Sequence, residues 1–346
     1  MSKHIISAFI SLLFLALTAS AQFDFAQSEP DGSRYIGGPR LGKSQNQIWR
    51  AGIIIEPGSA IESALITIPV PMEWREQRII SVSEESMGAQ LASRIEYRPL
   101  QGGAMEMRLH LGQIRPTQPL EIVVAVELQN YELLPPENPS QYVIPSRVPP
   151  EIRQYLGPSP TIESNESIFR GLYNDITKGL KTDWDKVEAL YSFVRNNVKY
   201  DNAAWSRPAK GALSVVKMPK GQWTADCKDM SCLFVALCRA GKIPARIVRV
   251  PEHCYAEFYL ELKPEGRTNN RGIPPGFWFP CQVSGTYAFG GIPEKRVILQ
   301  KGDSFPNVGA NNPMARTLFL KECFQGVLTP GAPEPPHRFV HEAVLR

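Results

Sequence analysis

The spacing of the apolar residues changes once along this 346-residue chain, and the change divides it into two halves. Across residues 49–134 apolar and polar side chains alternate, which places them on opposite faces of β-strands. After residue 160 the apolar residues recur at helical spacing, first over 168–180 and then over 187–198. We therefore expect an α+β protein, in which an antiparallel β-sandwich precedes a core of helices packed on an antiparallel sheet.

Glycine- and proline-containing turns separate the predicted strands of the first half. These strands cover residues 52–56, 64–70, 78–82, 105–111 and 121–128. His110 falls among the polar residues of its strand and is expected to face solvent. The proline-rich residues 135–160 are expected to lie in extended segments along the surface. The predicted organisation is a β-sandwich at 22–134, a linker at 135–160, an α+β domain at 161–329 and a proline-rich C-terminal tail at 330–346.

The N-terminus has the order of a secretory signal peptide. Lys3 precedes an apolar run over residues 5–17, and Ala19 and Ala21 provide a small-residue cleavage site. The run is shorter than the ~20 residues that span a bilayer, which disfavours the alternative of an uncleaved anchor. We expect residues 1–21 to be removed and the mature protein to be periplasmic or extracellular, without a stable membrane span.

Composition excludes several classes of protein. Hydrophobic residues make up 43% of the chain, too many for a disordered protein, and the 31 prolines show no collagen repeat. The net charge of +4 comes from interspersed acids and bases, so no nucleic-acid partner is expected. All six cysteines follow residue 226, and so low a density in so long a chain argues against a disulfide framework.

A cysteine stands at the predicted start of a helix in the segment TADCKDMSCLFVALCRAG. Asp226 is placed to cap this helix, Cys227 occupies its first position and Gly241 ends it. The positive end of a helix dipole favours a thiolate over a thiol, as nucleophilic cysteines require, although a structural cysteine is equally consistent with this position alone. Cys232 and Cys238 lie farther along the helix and are predicted to be buried free thiols.

The following segment KIPARIVRVPEHCYAEFYL predicts two strands that the helix covers. His253 starts the second strand, where its imidazole can meet the Cys227 sulfur and act as a base. The side chain of Cys254 is expected to point to the opposite face, away from the catalytic side. A third group must orient such a histidine, and the next strand, GFWFPCQVSG, offers Gln282.

These segments, in this order and over about residues 184–285, resemble the transglutaminase-like superfamily of papain-type cysteine enzymes. The resemblance implies Cys227 as the nucleophile and His253 as its base. The superfamily's usual acid is an aspartate, and this chain has Gln282 at that position. A glutamine accepts a hydrogen bond but brings no charge to stabilise an imidazolium. Glu257 lies ~13 Å along the strand from His253 and is expected to be too distant to replace the acid.

Other candidates are weaker. Gln222 and Trp223 precede the helix and are candidates for an oxyanion site, while Trp205 and Trp278 are candidates for the walls of a cleft. Core packing is the alternative for each of these tryptophans. His337 and His341 lie four residues apart without a third ligand, so no metal site is predicted, and no cofactor is expected.

Two functions remain open from the sequence. The first is an exported transglutaminase-like cysteine peptidase, amidase or acyltransferase that acts on amide bonds of a protein, peptide or cell-wall substrate through a thioester. The second is a non-catalytic binding or assembly module that keeps the fold. The glutamine at position 282 favours the second function, whereas the pairing of Cys227 with His253 favours the first.

Overall fold

The computed structural model describes residues 37–84, 92–202, 207–263, 275–308, 312 and 314–345. The predicted signal peptide and Trp205 lie outside the described residues. The strands are β1 (Arg40–Ile55), β2 (Ile61–Val70), β3 (Gln77–Glu84), β4 (Ala92–Leu100), β5 (Ala104–Leu111), β6 (Leu120–Leu134), β7 (Tyr142–Val143), β8 (Lys199–Tyr200), β9 (Thr224–Ala225), β10 (Ala245–Val250), β11 (His253–Leu262), β12 (Gly276–Gln282), β13 (Ala288–Phe289), β14 (Gln300–Lys301), β15 (Phe305–Pro306), β16 (Arg316–Thr317), β17 (Cys323–Leu328) and β18 (His337–Leu345). The helices are α1 (Ser167–Thr177), α2 (Asp183–Asn197), α3 (Ala212–Val216) and α4 (Cys227–Ala240).

The first sheet is antiparallel and has the strand order β18-β1-β6-β3. β1 and β6 pair from Arg40 opposite Leu134 to Ile55 opposite Leu120, with one bulge. Alternate apolar residues of these two strands are buried against the second sheet, as a period of two predicts. The predicted strands at 52–56 and 121–128 are confirmed, and both extend beyond the predicted bounds.

The second sheet runs through both halves of the chain. Its order is β13-β12-β11-β10-β14-β5-β2-β17, with β4 beside β5 and β7 beside β11. The link is β14, which pairs with β10 and also, through Gln300 opposite Ala104, with β5. One end of the sheet packs on the first sheet as the predicted β-sandwich, while β10, β11 and β12 are covered by the helices. The protein is therefore α+β, as predicted.

The last segment differs from the predicted surface tail, because it contains β18, which pairs with β1 over nine residues. The four prolines of the segment, at 330, 333, 335 and 336, all precede the strand. Every residue of β18 therefore keeps the main-chain N–H that pairing requires. Val340 is the buried residue of this edge strand, so the strand leaves almost no apolar periodicity in the sequence.

The proline-rich residues 135–160 lie against the core in extended and turn segments, as well as in two short 3-10 helices over 139–141 and 153–155 that the sequence did not predict. Tyr142 in β7 is buried, pairs with Leu262 of β11 and accepts a hydrogen bond through its hydroxyl from the Gly38 N–H at 2.7 Å. Its ring packs edge-on against Phe279 of β12. The stretch is thus anchored to the same sheet that carries His253.

Helix α4 is buried on all sides, because β10 and β11 lie under it and the other three helices cover it. Even the polar residues of the helix are buried with partners. Arg239, for example, donates to the main-chain oxygen of Ala245 and to Asp303. Thr182 caps α2 by accepting from the N–H of Asp185. Within the described ranges no helix is both long and apolar enough to cross a bilayer.

Candidate active site

The first turn of α4 is fixed by hydrogen bonds and one ion pair. The Asp226 carboxylate accepts from the Asp229 N–H at 3.1 Å and lies 2.9 Å from the Lys228 ammonium. The Asp229 carboxylate accepts in turn from the N–H groups of Lys210 and Gly211, at 2.8 and 2.9 Å. Cys227 therefore occupies the first helical position in a turn that its neighbours hold in place, as the capping pattern predicts.

The structure brings His253 to Cys227. β10 and β11 form a hairpin in which Val250 pairs with His253 across a tight turn, and Glu252 in that turn has a positive φ of 55°. His253 consequently starts β11 beside the N-terminus of α4. Its imidazole is close enough to the Cys227 thiol for its hydrogen bond and charge to lower the pKa of that thiol. The two residues that the sequence proposes as nucleophile and base are in contact.

Cys254 faces α4 and contacts Cys227, which corrects the expectation that it points away from the catalytic side. Its sulfur lies 3.9 Å from the hydroxyl of Ser231, one helical turn beyond Cys227, and its thiol and main-chain N–H both hydrogen-bond to Cys227. Side chains do alternate at 253 and 254, but α4 covers the face that Cys254 uses. His253 reaches the thiol from the end of the strand. All six cysteines are free.

These contacts lower the pKa of Cys227 to about 5. The hydrogen bond from the Cys254 thiol is the largest cause; burial opposes it, and the hydrogen bond and charge of His253 add to it. Burial, and then the hydrogen bond to Cys227, raise the pKa of Cys254, so that Cys254 keeps its proton and donates it. Cys227 is therefore a thiolate at neutral pH, which is the reactive form of a cysteine.

Tyr200 is a contact of Cys227 that the sequence did not identify. β8 and β9 pair in parallel with Tyr200 opposite Ala225, two residues before the helix. The Tyr200 hydroxyl hydrogen-bonds to Cys227, and burial followed by the charge of Cys227 raises the pKa of Tyr200. The phenol thus stays protonated as a donor. Tyr200 lies within the span of about residues 184–285 that carries the family resemblance, but no contact was predicted for it.

Gln282 ends β12 and is buried next to the same cleft as His253. Its amide nitrogen donates to the main-chain oxygen of Thr286 and to Glu294, each at 3.2 Å. Its amide oxygen is buried and has no hydrogen-bond partner among the residues that the structure describes. The assignment of Gln282 as the group that orients His253 stays a prediction.

An open cleft of about 770 Å³ lies beside these residues. Tyr200, Glu252, His253, Gln282 and Glu294 line it from the core side. Gln47 of β1 and Ala343 of β18 line it from the first sheet. The β-sandwich, including the C-terminal strand, therefore forms part of the cleft wall.

Three weaker candidates lie elsewhere. Gln222 is exposed and Trp223 is buried, with its ring N–H donating to Met218 and its ring packed against Phe193. Trp278 packs beneath the Arg246 guanidinium, 4.0 Å from the ring centre. None of the three lines the cleft. Gln222 is exposed elsewhere on the surface, and both tryptophans fill the apolar interior.

The other titratable side chains considered from the sequence lie outside the cleft and make structural contacts. Glu257 is paired with Arg246 of β10 and Lys301 of β14, both at 2.7 Å, so its partners lie away from His253, as its distance along the strand predicts. His337 and His341 lie on β18 and bind neighbouring acids and rings; His341 is 3.0 Å from Glu322. Among the described residues no cluster of three histidine, cysteine or acidic side chains has the arrangement of a metal site.

Comparisons with known proteins agree with this fold. A solved structure from Cytophaga hutchinsonii, described as a candidate cysteine protease, covers 89% of this chain and 92% of its own at 16% identity, with a TM-score of 0.56. A candidate protease from Parabacteroides distasonis (14% identity, 69% of this chain and 47% of that chain, TM-score 0.25) and the periplasmic domain of TgpA from Pseudomonas aeruginosa (12% identity, 72% and 93%, TM-score 0.32) are more distant. No curated protein matches.

The sequence model of the transglutaminase-like superfamily matches residues 170–282. This span begins in α1, ends at Gln282 and contains Cys227 and His253. The similarity of the fold to the Cytophaga structure agrees with this match. Residues 170–282, about a third of the chain, are therefore similar to the transglutaminase-like superfamily.

Proposed function

We propose that the protein is an exported cysteine enzyme that cleaves or transfers amide bonds of protein or peptide substrates through a thioester on Cys227. The observation that carries the proposal is a helix-N-terminal thiol with a pKa lowered to about 5, in contact with a histidine at the edge of an open cleft. A buried structural cysteine needs none of these features, and burial raises the pKa of such a thiol, as it does for Cys238.

In the first step the Cys227 thiolate attacks the carbonyl carbon of the amide. The C–S bond forms, the C–N bond breaks, and His253 as the imidazolium gives its proton to the leaving amine. The negative charge that develops on the carbonyl oxygen needs a donor, and the protonated Tyr200 hydroxyl beside Cys227 is placed to provide it. Tyr200 takes the role that was expected of Gln222 and Trp223.

In the second step a nucleophile displaces the thiolate, and neutral His253 accepts the proton that this nucleophile loses. Water completes a hydrolysis, whereas a primary amine completes an acyl transfer. Both fit an open cleft with a wall from the β-sandwich, since an extended peptide can lie between the core and β18. Export follows from the predicted signal peptide and agrees with a substrate outside the cytoplasm, such as a protein or a cell-wall peptide.

The test is to trap the thioester. The mature protein is incubated with a peptide library, with and without a primary amine, and analysed by mass spectrometry. We expect an acyl adduct on Cys227 that decays to hydrolysed product or to an amine conjugate, and no adduct on the Cys227→Ser variant. Cys238→Ser is the matched control and should still form the adduct. A wild-type protein that forms none, and whose Cys227 alkylates like an ordinary thiol, would establish the binding-module alternative.

A further inference from the structure

Gln282 is held by three contacts from different parts of the chain. Its main-chain oxygen accepts from the Arg195 guanidinium of α2 at 2.8 Å, and the same guanidinium donates to Gly285 at 3.0 Å. Gly285 has a positive φ of 76°, and the turn that it forms brings the Thr286 oxygen back to the Gln282 amide nitrogen. The third contact is the Glu294 carboxylate.

The two side-chain contacts of Gln282 determine which way its amide faces. Thr286 presents a carbonyl oxygen and Glu294 a carboxylate oxygen, and both are acceptors only. An amide turned by 180° would place its own oxygen against these two oxygens. The nitrogen must therefore face Thr286 and Glu294, which leaves the amide oxygen on the other side, buried and without a partner among the described residues.

The unused oxygen lies on the same side of the sheet as His253. Ala256 pairs with Cys281, and both face α4. Gln282 is one residue from Cys281 and His253 is three residues from Ala256, so both project from the opposite face. Both also line the same cleft. One ring nitrogen of His253 serves the Cys227 thiol, which leaves the other available to an acceptor in the cleft.

We propose that Glu294 is a positioning residue, which orients Gln282 so that its amide oxygen is available to accept a hydrogen bond from the second ring nitrogen of His253 when the imidazole turns toward it; in the structure itself that oxygen has no such partner among the described residues. The inference rests on the proposed function and explains how a neutral glutamine stands where the superfamily has an aspartate. The charge of Glu294 acts on His253 through Gln282, because it selects the orientation of the Gln282 amide and polarises that amide toward the imidazolium. Arg296 lies 3.0 Å from Glu294 and holds the carboxylate in place.

Several other titratable or charged groups surround these residues and contribute to any pH profile. They are Cys227 on α4, its N-cap Asp226, Cys254 on β11, Tyr200 on β8, Glu252 in the hairpin turn, Arg195 on α2, and Arg296 beside Glu294. A fixed charge near the cleft shifts the profile whether or not it orients Gln282. The experiment must therefore distinguish the effect of Glu294 on the orientation of the Gln282 amide from the effect of its charge alone.

A double-mutant cycle makes that separation. The rate of Cys227 alkylation by iodoacetamide, mapped by mass spectrometry, is measured from acid to alkaline pH in wild type, Glu294→Gln, Gln282→Glu and the double variant. In the wild-type background, Glu294→Gln removes the charge-assisted contact of the Gln282 amide and leaves only the Thr286 oxygen to hold its orientation. We expect the rate at pH 6 to fall about fivefold and the midpoint to move to higher pH. In Gln282→Glu, Glu294 faces a second carboxylate, so Glu294→Gln should raise the rate.

The reversal of sign is the decisive result, since a merely structural role would lower the rate in both backgrounds. Glu252→Gln is the matched control, because it removes one charge from the same cleft without touching Gln282, and it should change the rate less than Glu294→Gln. The proposal would be overturned if Glu252→Gln and Glu294→Gln changed the alkylation rate equally. It would also be overturned if Glu294→Gln changed the rate in the same direction in wild type and in Gln282→Glu. Ordinary thiol behaviour in wild type would instead overturn the proposed function.

Discussion

The first turn of α4 and the interior of the same helix hold chemically identical thiols in opposite states. Cys227 and Cys238 are both buried, at 1% and 0% exposure. The pKa of Cys227 is lowered to about 5, while burial raises that of Cys238 well above its usual value. The difference is in the partners: Cys227 meets a thiol donor, an imidazole and a phenol, whereas Cys238 is surrounded by the apolar core. The hydrogen-bonding and charged neighbours of a buried thiol, rather than its burial, therefore determine whether it is deprotonated and reactive.

The largest expected effect comes from removing one or the other sulfur. Cys227→Ser should lower turnover about 10⁴-fold or more, because the nucleophile is lost. Cys238→Ser should leave the rate per folded molecule unchanged and act only on stability, since it places a hydroxyl in the core. Turnover with a peptide found in the trapping experiment, together with thermal melting, measures both. Equal losses of turnover in Cys227→Ser and Cys238→Ser would contradict the different roles assigned to the two cysteines.

The next effect concerns the base. His253→Ala should lower turnover about 10³-fold, since no group then donates the proton to the leaving amine. It should also raise the pKa of Cys227, because the hydrogen bond and the positive charge that favour the thiolate disappear. The midpoint of the alkylation profile should therefore move to higher pH. An unchanged profile would show that the imidazole does not act on the thiol.

Tyr200 tests the assignment of the oxyanion donor. Tyr200→Phe should lower kcat about 10²-fold with little change in KM, because the missing hydroxyl serves the transition state more than the bound substrate. Tyr287→Phe is the matched control, since Tyr287 is exposed and does not line the cleft. Parallel losses in kcat and in substrate affinity would assign Tyr200 to binding instead.

The smallest of these effects isolates Cys254. Cys254→Ala removes the thiol that donates to Cys227, so the pKa of Cys227 should rise and alkylation at pH 6 should slow about fivefold. Cys281→Ala empties a similar volume on the same sheet face, and its cysteine is not among the groups that act on Cys227. That control should leave the profile in place. A shift of equal size in both variants would attribute the effect to packing.

Local patterns predicted the dyad, and long-range contacts account for what they missed. The cap, first turn and end of α4 and the start of β11 follow from residues close in sequence, so Cys227 and His253 were identified. Alternation along β11 also placed Cys254 and His253 on opposite faces. It did not show which face α4 covers, and the expectation for Cys254 was therefore wrong.

The remaining differences have the same origin. β18 is held by main-chain pairing with β1, which needs no apolar pattern. Glu294 lies in a loop without periodicity, twelve residues from the Gln282 that it contacts. Trp223, a candidate for the oxyanion site, and Trp278, a candidate for a cleft wall, are both packed in the interior. Only the folded chain shows which of these side chains converge.

The central claim is that its partners keep Cys227 deprotonated at neutral pH. The direct test is an ultraviolet titration of thiolate absorbance, taken as the difference between wild type and Cys227→Ser. The account predicts a single thiolate that appears with a midpoint near pH 5 and persists through neutral pH. A midpoint at the ordinary thiol value of about 8.5 would contradict it.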